Sequence, residues 1–293
     1  MAGFVADPAE ITAVRADDPG RIATLLRDRR RRPMPGANTR LMIVACDHPA
    51  RGALAVGNRN DAMADRLDLL DRLVTALARP GVDGVLATAD IAEDLLLLGA
   101  LEDKIVFASM NRGGLAGSSF ELDDRMTGYD VEGTLAANFD GGKMLTRIDL
   151  DDPGTVATLE RCGRAVTELN RAGLIAMVEP FLCRRQNGRL VNDLTPDAVI
   201  RSINIAQGLG ASSARTWLKL PVVADMPRVL RATTLPTLLL GGDPAESQTH
   251  VLSQWQDALA LPAVRGLVAG RTLLYPADDD VAHAVDRAVA LLR

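Results

Sequence analysis

Lysine is scarce in this chain, and one lysine stands where a charge is costly. Of the 33 basic residues only Lys104, Lys143 and Lys219 are lysine, and Lys219 lies inside the largely apolar run Thr216–Leu220. Burial would lower the pKa of this amine below its unperturbed value near ~10.4 and leave more of it neutral and nucleophilic. Arginine could not act in this way, because its charge is permanent. We therefore predict that Lys219 is a nucleophile; the alternative is a buried ion pair with Glu179 or Asp47.

Two carboxylates and a second lysine occupy comparable places in other apolar runs. Glu179 ends one run, where an apolar wall is expected to raise its pKa and suit it to general acid–base catalysis. Asp47 ends another and could orient the lysine or hold a substrate hydroxyl. Lys143 opens a third and would depress the pKa of Lys219 if it faced the same interior. The alternative for Lys143 is a structural place at the opposite rim of the strands.

Glycines follow two further runs and suit an anion. Gly241-Gly242 and Gly270-Arg271 each leave bare backbone amides before a helical segment. Arg271 would add a bidentate contact to a phosphate. Arg147 shares the strand face of Lys143 under the two-residue period of a strand. The set expected to bind substrate or phosphate is Arg147, Gly241, Gly242, Gly270 and Arg271.

These residues belong to a repeated pattern of short apolar runs separated by amphipathic segments, which is typical of a parallel sheet with crossover helices. Eight runs predict eight strands, so we expect an α/β fold with a single (β/α)₈ TIM barrel. A doubly wound open sheet is the alternative, and it lacks the GxGxxG that would support it. The predicted strands are Leu41–Cys46, Gly84–Ala87, Ile105–Ala108, Lys143–Ile148, Leu174–Val178, Thr216–Leu220, Thr237–Leu240 and Gly266–Ala269.

The rest of the chain is divided accordingly. Residues 1–39 are expected to form an N-terminal helical extension outside the barrel, and residues 40–293 the catalytic barrel domain. The dense basic run Arg27–Arg32 is expected to be the solvated end of a helix. The connection from Ser109 to Gly142 is too long for a plain loop and predicts a functional loop with one short helix over the barrel mouth.

Composition excludes several classes of function. A net charge of −5 argues against a nucleic-acid partner. No apolar run reaches the eighteen or so residues of a membrane span, and the first residues lack the pattern of a signal peptide, so we expect a cytoplasmic protein. Only His48, His250 and His283 could serve as imidazole ligands, and we therefore expect no metal site and no cofactor. A homo-oligomer is expected.

Six short motifs, ACDHPARG, GGKMLTRID, VEPFL, WLKLP, LLLGGDP and GLVAGRTLLYP, resemble in content and order the class I aldolases grouped around deoxyribose-phosphate, tagatose-bisphosphate and sulfofructose-phosphate aldolases. The resemblance covers roughly residues 40 to 275. It implies that Lys219 is the Schiff-base lysine, that Glu179, Lys143 and Asp47 lie in the catalytic centre, and that Gly242, Gly270 and Arg271 hold a phosphate or sulfonate. DHPARG and GRTLLYP look closest to 2-deoxy-5-keto-gluconate-6-phosphate aldolase, a step of inositol breakdown.

The expected activity is therefore that of a lyase that cleaves a phosphorylated ketose or keto sugar acid. Two alternatives remain open. A phosphosugar isomerase or epimerase on the same barrel would share the anion site and need a carboxylate base, but it would have no use for a buried Lys219. A non-catalytic sugar-phosphate-binding protein would have to keep a costly lysine and carboxylate without a reaction.

Overall fold

Eight parallel strands form a closed barrel, which confirms the predicted TIM barrel and excludes the open sheet. The structure, a computed structural model, describes residues 4–36, 39–241 and 248–293. Each barrel strand pairs with its neighbours along the chain, and the first strand pairs with the last, which closes the ring. The barrel strands are β1 Leu41–Cys46, β2 Gly84–Ala87, β3 Ile105–Ser109, β4 Gly141–Ile148, β5 Ile175–Gln186, β7 Thr216–Leu220, β8 Thr237–Leu240 and β9 Val264–Ala269.

Helices cover the outside of the barrel. Several begin at an acidic or hydroxyl side chain that accepts a hydrogen bond from the first turn, as Asp65 does from the amides of Leu67 and Asp68. This cap explains why the third helix begins at Arg66. The described helices are α1 Ile11–Asp17, α2 Gly20–Asp28, α3 Arg66–Leu77, α4 Ala89–Leu97, α5 Val131–Ala136, α6 Gly154–Arg171, α7 Pro196–Gln207, α8 Met226–Leu230, α9 Gln248–Leu259, α10 Arg271–Leu274 and α11 Val281–Ala290. None of those in the described ranges combines the length and the apolar character that a membrane crossing needs.

The strand period divides the core into two layers. Along β1, Leu41, Ile43 and Ala45 point into the barrel, whereas Met42 and Val44 pack under the helices. The interior layer also contains Leu86, Ile105, Phe107, Ile175, Met177, Leu238 and Val268. These side chains fill the barrel below its C-terminal rim. Polar residues that continue the inward face beyond this layer therefore meet at the barrel mouth.

One strand runs well past its predicted end. β5 continues to Gln186 and turns back through β6, Arg189–Asn192, in an antiparallel hairpin that extends beyond the barrel. The sequence analysis ended this strand at Val178, because Pro180 and the following arginines interrupt its apolar run. Burial of Phe181 and Cys183 is what extends the strand.

The connection between β3 and β4 contains one short helix, α5, as predicted, but this helix packs against β4 and α6 on the outside of the barrel and not over the mouth. The loop before α5 is fixed to the β1 end: the Ala116 amide donates to the Arg51 carbonyl oxygen over 2.9 Å, and Arg112 Nη1 donates to the Ala50 carbonyl oxygen over 2.6 Å. The loop thus forms one wall of the mouth.

The prediction that Arg27–Arg32 is a solvated helix end is wrong for most of the run. Helix α2 ends at Asp28, and the next arginines lie against the N-terminal rim of the barrel. Arg31 and Arg32 bind Asp140 and Asp83 over 2.8 and 2.6 Å. The second carboxylate oxygens of Asp140 and Asp83 accept the Val106 and Met42 amides, each over 2.8 Å. The carboxylates of Asp140 and Asp83 therefore hold Arg31 and Arg32 against the rim.

Arg29 is the buried member of the run, and its removal should destabilise the barrel. Its guanidinium, only 4% exposed, donates to the carbonyl oxygens of Leu101, Lys104 and Asn138. We expect Arg29→Ala to lower the free energy of unfolding by about 1–3 kcal/mol, because it leaves buried acceptors unsatisfied. Urea unfolding measures this change. Arg27→Ala, at an exposed position of the same run, is the control and should change stability by less than ~0.5 kcal/mol. Equal midpoints for the two variants would contradict the assigned role.

Candidate active site

A cavity of about 460 Å³ opens at the C-terminal ends of the strands. It contains all four of the predicted catalytic residues and three of the five predicted substrate-binding residues. The described residues that line it with polar or charged groups are Asp47, His48, Arg51, Arg112, Lys143, Glu179, Asn192, Lys219, Gly241, Gly270, Arg271 and Thr272. Such a mouth is where TIM barrels place their chemistry.

The strand period explains why the charged side chains converge. Asp47 lies two residues beyond Ala45, Glu179 two beyond Met177, and both Ala45 and Met177 belong to the interior layer. Lys219 likewise lies two residues beyond Trp217, which packs against that layer. Each charged group is therefore the first polar side chain above an apolar barrel floor.

Lys143 lies between two carboxylates. Its Nζ is 2.8 Å from Asp47 Oδ2 and 2.6 Å from Glu179 Oε2, and its side chain is almost completely buried. Burial alone would lower the pKa of Lys143, but Asp47 and Glu179 outweigh burial and raise the pKa above its ordinary value. The charged form of Lys143 is thus favoured within the cavity, and its alternative place at the opposite rim is excluded.

Lys219 has the opposite electrostatic environment. Its Nζ is 3.1 Å from Glu179 Oε2, and Glu179 is shared with Lys143. Burial lowers the pKa of Lys219 and the charge of Lys143 lowers it further, so that the attraction of Glu179 and Asp47 does not restore the ordinary value. Of the two lysines in the cavity, Lys219 is the one that more readily becomes a neutral amine.

Both carboxylates have a lowered pKa, which for Glu179 is the opposite of the expected direction. We expected an apolar wall to raise the pKa of Glu179, and burial does act in that direction, but Lys143 and Lys219 more than offset it and the pKa is lowered. The pKa of Asp47 is lowered in the same way, chiefly by Lys143. Ser109 Oγ also donates to Asp47 Oδ2 over 3.4 Å. Both carboxylates are therefore held ionised.

His48 lines the cavity as a neutral imidazole. Burial lowers its pKa to about 3, with Arg271 and the two lysines opposing the attraction of Asp47. Its Nδ1 is buried without a hydrogen-bond partner in the described part of the chain. His48, which is not among the predicted site residues, thus belongs to the cavity wall.

The side of the cavity at β8 and β9 carries the predicted anion site. Gly241, Gly270 and Arg271 line it, and Gly242 lies outside the described residues. A Cβ at Gly270 would lie 2.2 Å from the Ala45 carbonyl oxygen, so only glycine permits this approach of β9 to β1. Thr272, which the sequence analysis missed, adds a buried hydroxyl without a hydrogen-bond partner among the described residues. Its Oγ1 lies beside Gly241.

Arg147 lies outside this cavity's lining, next to the long loop. Its guanidinium donates to the Gly113 carbonyl oxygen and binds Glu121 Oε1 over 2.5 Å. Substrate binding by Arg147 stays a prediction, and these internal partners do not favour it. Arg51 and Arg112, which the sequence analysis did not select, line the cavity instead. Both stand in loops, where no strand pattern marks the direction of a side chain.

The described residues contain no group of three or more His, Cys, Asp or Glu side chains that could hold a metal ion. The three cysteines are buried and unpaired. The chemistry that the cavity itself offers is therefore that of a neutral amine, a fixed ammonium, two carboxylates and several arginines.

Comparisons with known proteins give one family and several similar folds. The family model described as Cgl0159-like matches residues 39–289. The crystal structure of Cgl0159 from Corynebacterium glutamicum is 53% identical over 99% of this chain and 98% of that chain, with a TM-score of 0.95. A comparison with curated proteins found none that matches.

Two more distant structures share the fold. A Schiff-base-forming fructose-1,6-bisphosphate aldolase is 18% identical over 93% of this chain and 100% of that chain, with a TM-score of 0.62. An archaeal fructose 1,6-bisphosphate aldolase is 18% identical over 92% and 98% of the two chains, with the same TM-score. At this identity the likeness shows the barrel fold alone.

The opposite shifts of the two lysines lead to a direct prediction. In protein carrying ¹³C at lysine Cε, we expect the Lys219 signal to titrate at lower pH than an unperturbed lysine and the Lys143 signal to remain that of an ammonium. Lys143→Met should raise the pKa of Lys219, because it removes a neighbouring cation and leaves Glu179 to Lys219 alone. Lys104→Met is the control, since Lys104 Nζ donates to the Val82 carbonyl oxygen away from the cavity. An unchanged Lys219 titration in Lys143→Met would contradict this coupling.

Proposed function

This chain belongs to the Cgl0159-like family, and we propose that it is a class I aldolase in which Lys219 forms a Schiff base with a phosphorylated ketose or keto sugar acid. The observation that carries the proposal is the shared Glu179 carboxylate, with Lys143 and Lys219 on either side and their pKa values shifted in opposite directions. Two like groups with separated pKa values mark a division of roles. One lysine remains a cation, and the other supplies the nucleophile.

The first step is the attack of neutral Lys219 Nζ on the substrate carbonyl carbon. Loss of water from the resulting carbinolamine gives an iminium, which withdraws electrons from the neighbouring carbon–carbon bond. That bond breaks as Glu179 takes the proton of the β-hydroxyl and the aldehyde product leaves. Protonation of the remaining enamine and hydrolysis of the imine then release the second product and restore Lys219.

Glu179 is the proposed proton carrier. It is the carboxylate within hydrogen-bond reach of Lys219 Nζ, so it can take the ammonium proton before attack and return a proton to the carbinolamine hydroxyl. Its lowered pKa makes it a weaker base than the sequence suggested. Lys143 holds Glu179 and Asp47 in place and presents a fixed positive charge to the oxygen atoms of the substrate.

The phosphate of the substrate is assigned to the β8 and β9 side. Gly241, Gly270, Arg271 and Thr272 line it, as the sequence predicts for the first three. The motifs DHPARG and GRTLLYP suggest 2-deoxy-5-keto-gluconate 6-phosphate, from inositol breakdown, as a first substrate to test. A cytoplasmic location and a homo-oligomeric state remain part of the proposal.

An isomerase or epimerase is less well supported. It would leave the lowered pKa of Lys219 without a use. A binding protein without a reaction would retain the same buried charges without need for them.

Borohydride trapping tests the mechanism. With phosphorylated ketoses and keto acids as substrates, in the presence of EDTA, we expect the mass of a reduced adduct on wild-type protein and its location on Lys219. Lys219→Ala and Lys219→Arg should give no adduct and no cleavage, since a guanidinium cannot form the imine. Glu179→Gln should slow cleavage by roughly 10²–10⁴. An adduct on Lys143 or Lys104, or turnover by Lys219→Arg, would overturn the proposal.

Arg271 provides a separate test of the phosphate assignment. Arg271→Ala should raise KM for a phosphorylated substrate by roughly ten- to hundredfold, because a charge-assisted contact in a desolvated site is worth about 1.5–3 kcal/mol. Trapping at Lys219 with a small unphosphorylated ketone should be unaffected. If phosphorylated and unphosphorylated compounds respond equally, the phosphate lies elsewhere.

A further inference from the structure

The cavity carries more positive than negative charge in a protein whose net charge is −5. Two carboxylates, Asp47 and Glu179, line it among the described residues, against five basic side chains: Arg51, Arg112, Lys143, Lys219 and Arg271. The carboxylates are already occupied by the two lysines. Neither carboxylate of the described lining therefore forms an ion pair with Arg51 or Arg112.

These arginines lie on different sides of the mouth. Arg271 directly follows β9, whereas Arg112 follows β3 and Arg51 stands in the short turn Pro49–Arg51 after β1. In the order of the eight barrel strands, β3 is opposite β8 and β4 is opposite β9. Arg51 turns towards that far side, since its Nη2 is 3.4 Å from Glu121 Oε1 in the loop after β3. The phosphate assigned to Gly241 and Arg271 thus has a second basic group across the cavity.

Arg51 and Arg112 are poorly neutralised by the protein itself. Glu121 Oε1 lies 2.5 Å from Arg147 Nη2, closer than the 3.4 Å to Arg51 Nη2. Arg51 Nε is buried without a hydrogen-bond partner in the described part of the chain. Burial, together with the charge of Arg147, lowers the pKa of Arg51 to about 10 in spite of Glu121. Arg112 is fixed by uncharged groups, the Ala50 carbonyl oxygen and the Thr127 hydroxyl. A fixed guanidinium without a carboxylate partner is suited to a ligand oxyanion.

We propose that Arg51 and Arg112 form a second anion subsite, so that the substrate carries an oxyanion at both ends, one at Arg271 and one at this pair. This inference rests on the proposed function, because it specifies the substrate of the same site. Phosphate and carboxylate share the chemistry required. A sugar phosphate with a neutral far end would leave Arg51, whose side chain is largely buried, with only Glu121 at 3.4 Å, and would leave the exposed Arg112 guanidinium without an anion.

The test uses two sugar alcohol phosphates and one phosphorylated aldonic acid, which lack a ketone or aldehyde and so bind without forming an imine. We would measure by calorimetry the binding of glucitol 6-phosphate, glucitol 1,6-bisphosphate and 6-phosphogluconate to the full-length protein. We expect at least one of the doubly charged ligands to bind about tenfold or more tightly than glucitol 6-phosphate. A gain with 6-phosphogluconate identifies the second group as a carboxylate, and a gain with the bisphosphate alone identifies it as a phosphate.

Arg112→Gln should remove most of this preference while leaving glucitol 6-phosphate binding within about twofold of wild type. Arg125→Gln is the matched control: Arg125 belongs to the same loop, is exposed and pairs with Asp123, so the preference should persist. Arg51→Gln, checked for retained folding by circular dichroism, should act like Arg112→Gln. Equal affinities for singly and doubly charged ligands, no measurable binding of a doubly charged ligand, or an undiminished preference in Arg112→Gln would overturn the proposal. Because no imine forms, these results are independent of whether Lys219 traps a substrate.

Discussion

The Glu179 carboxylate between Lys143 and Lys219 is the interaction on which the rest of the site depends. Three buried charges would be costly if any one were unpaired. Together with Asp47 they form a connected set in which Lys143 has two anionic partners and Lys219 shares one. Burial lowers the pKa of both amines; the two carboxylates beside Lys143 more than offset it, whereas the one that Lys219 shares does not. The barrel supplies the geometry, but the unequal sharing of one carboxylate distinguishes the two lysines.

The strand period is what made much of this arrangement predictable. The eight apolar runs located the barrel strands closely, and a side chain at the C-terminal end of such a strand can only face the mouth or the helices. The places of Asp47, Glu179 and Lys219 in the cavity were therefore predictable, as were those of Gly241, Gly270 and Arg271, whereas Lys143 opens its run and its place was left open. The pKa direction of Glu179 was not, because it depends on how closely two cations approach it and not on the apolar residues beside it in the chain.

The remaining differences come from contacts between segments distant in sequence. Arg147 has the strand position of a cavity residue, yet Glu121, 26 residues earlier, holds its guanidinium against the long loop. Arg51 and Arg112 lie in irregular backbone, where no period gives their direction. The hairpin after Glu179 follows a proline and two arginines that indicate a loop when considered alone. In each case tertiary pairing, absent from any local pattern, decides the outcome.

The arginine run contacts the N-terminal rim of the barrel, at the end opposite to the cavity. Arg29, Arg31 and Arg32 bind carbonyl and carboxylate groups at the N-terminal rim, with the apolar interior layer between them and the cavity. Residues at the mouth are therefore not needed to hold the strand starts together. The loops after β1, β3 and β5 can therefore change during evolution and bring new specificities. The contacts at the N-terminal rim would meanwhile keep the barrel closed.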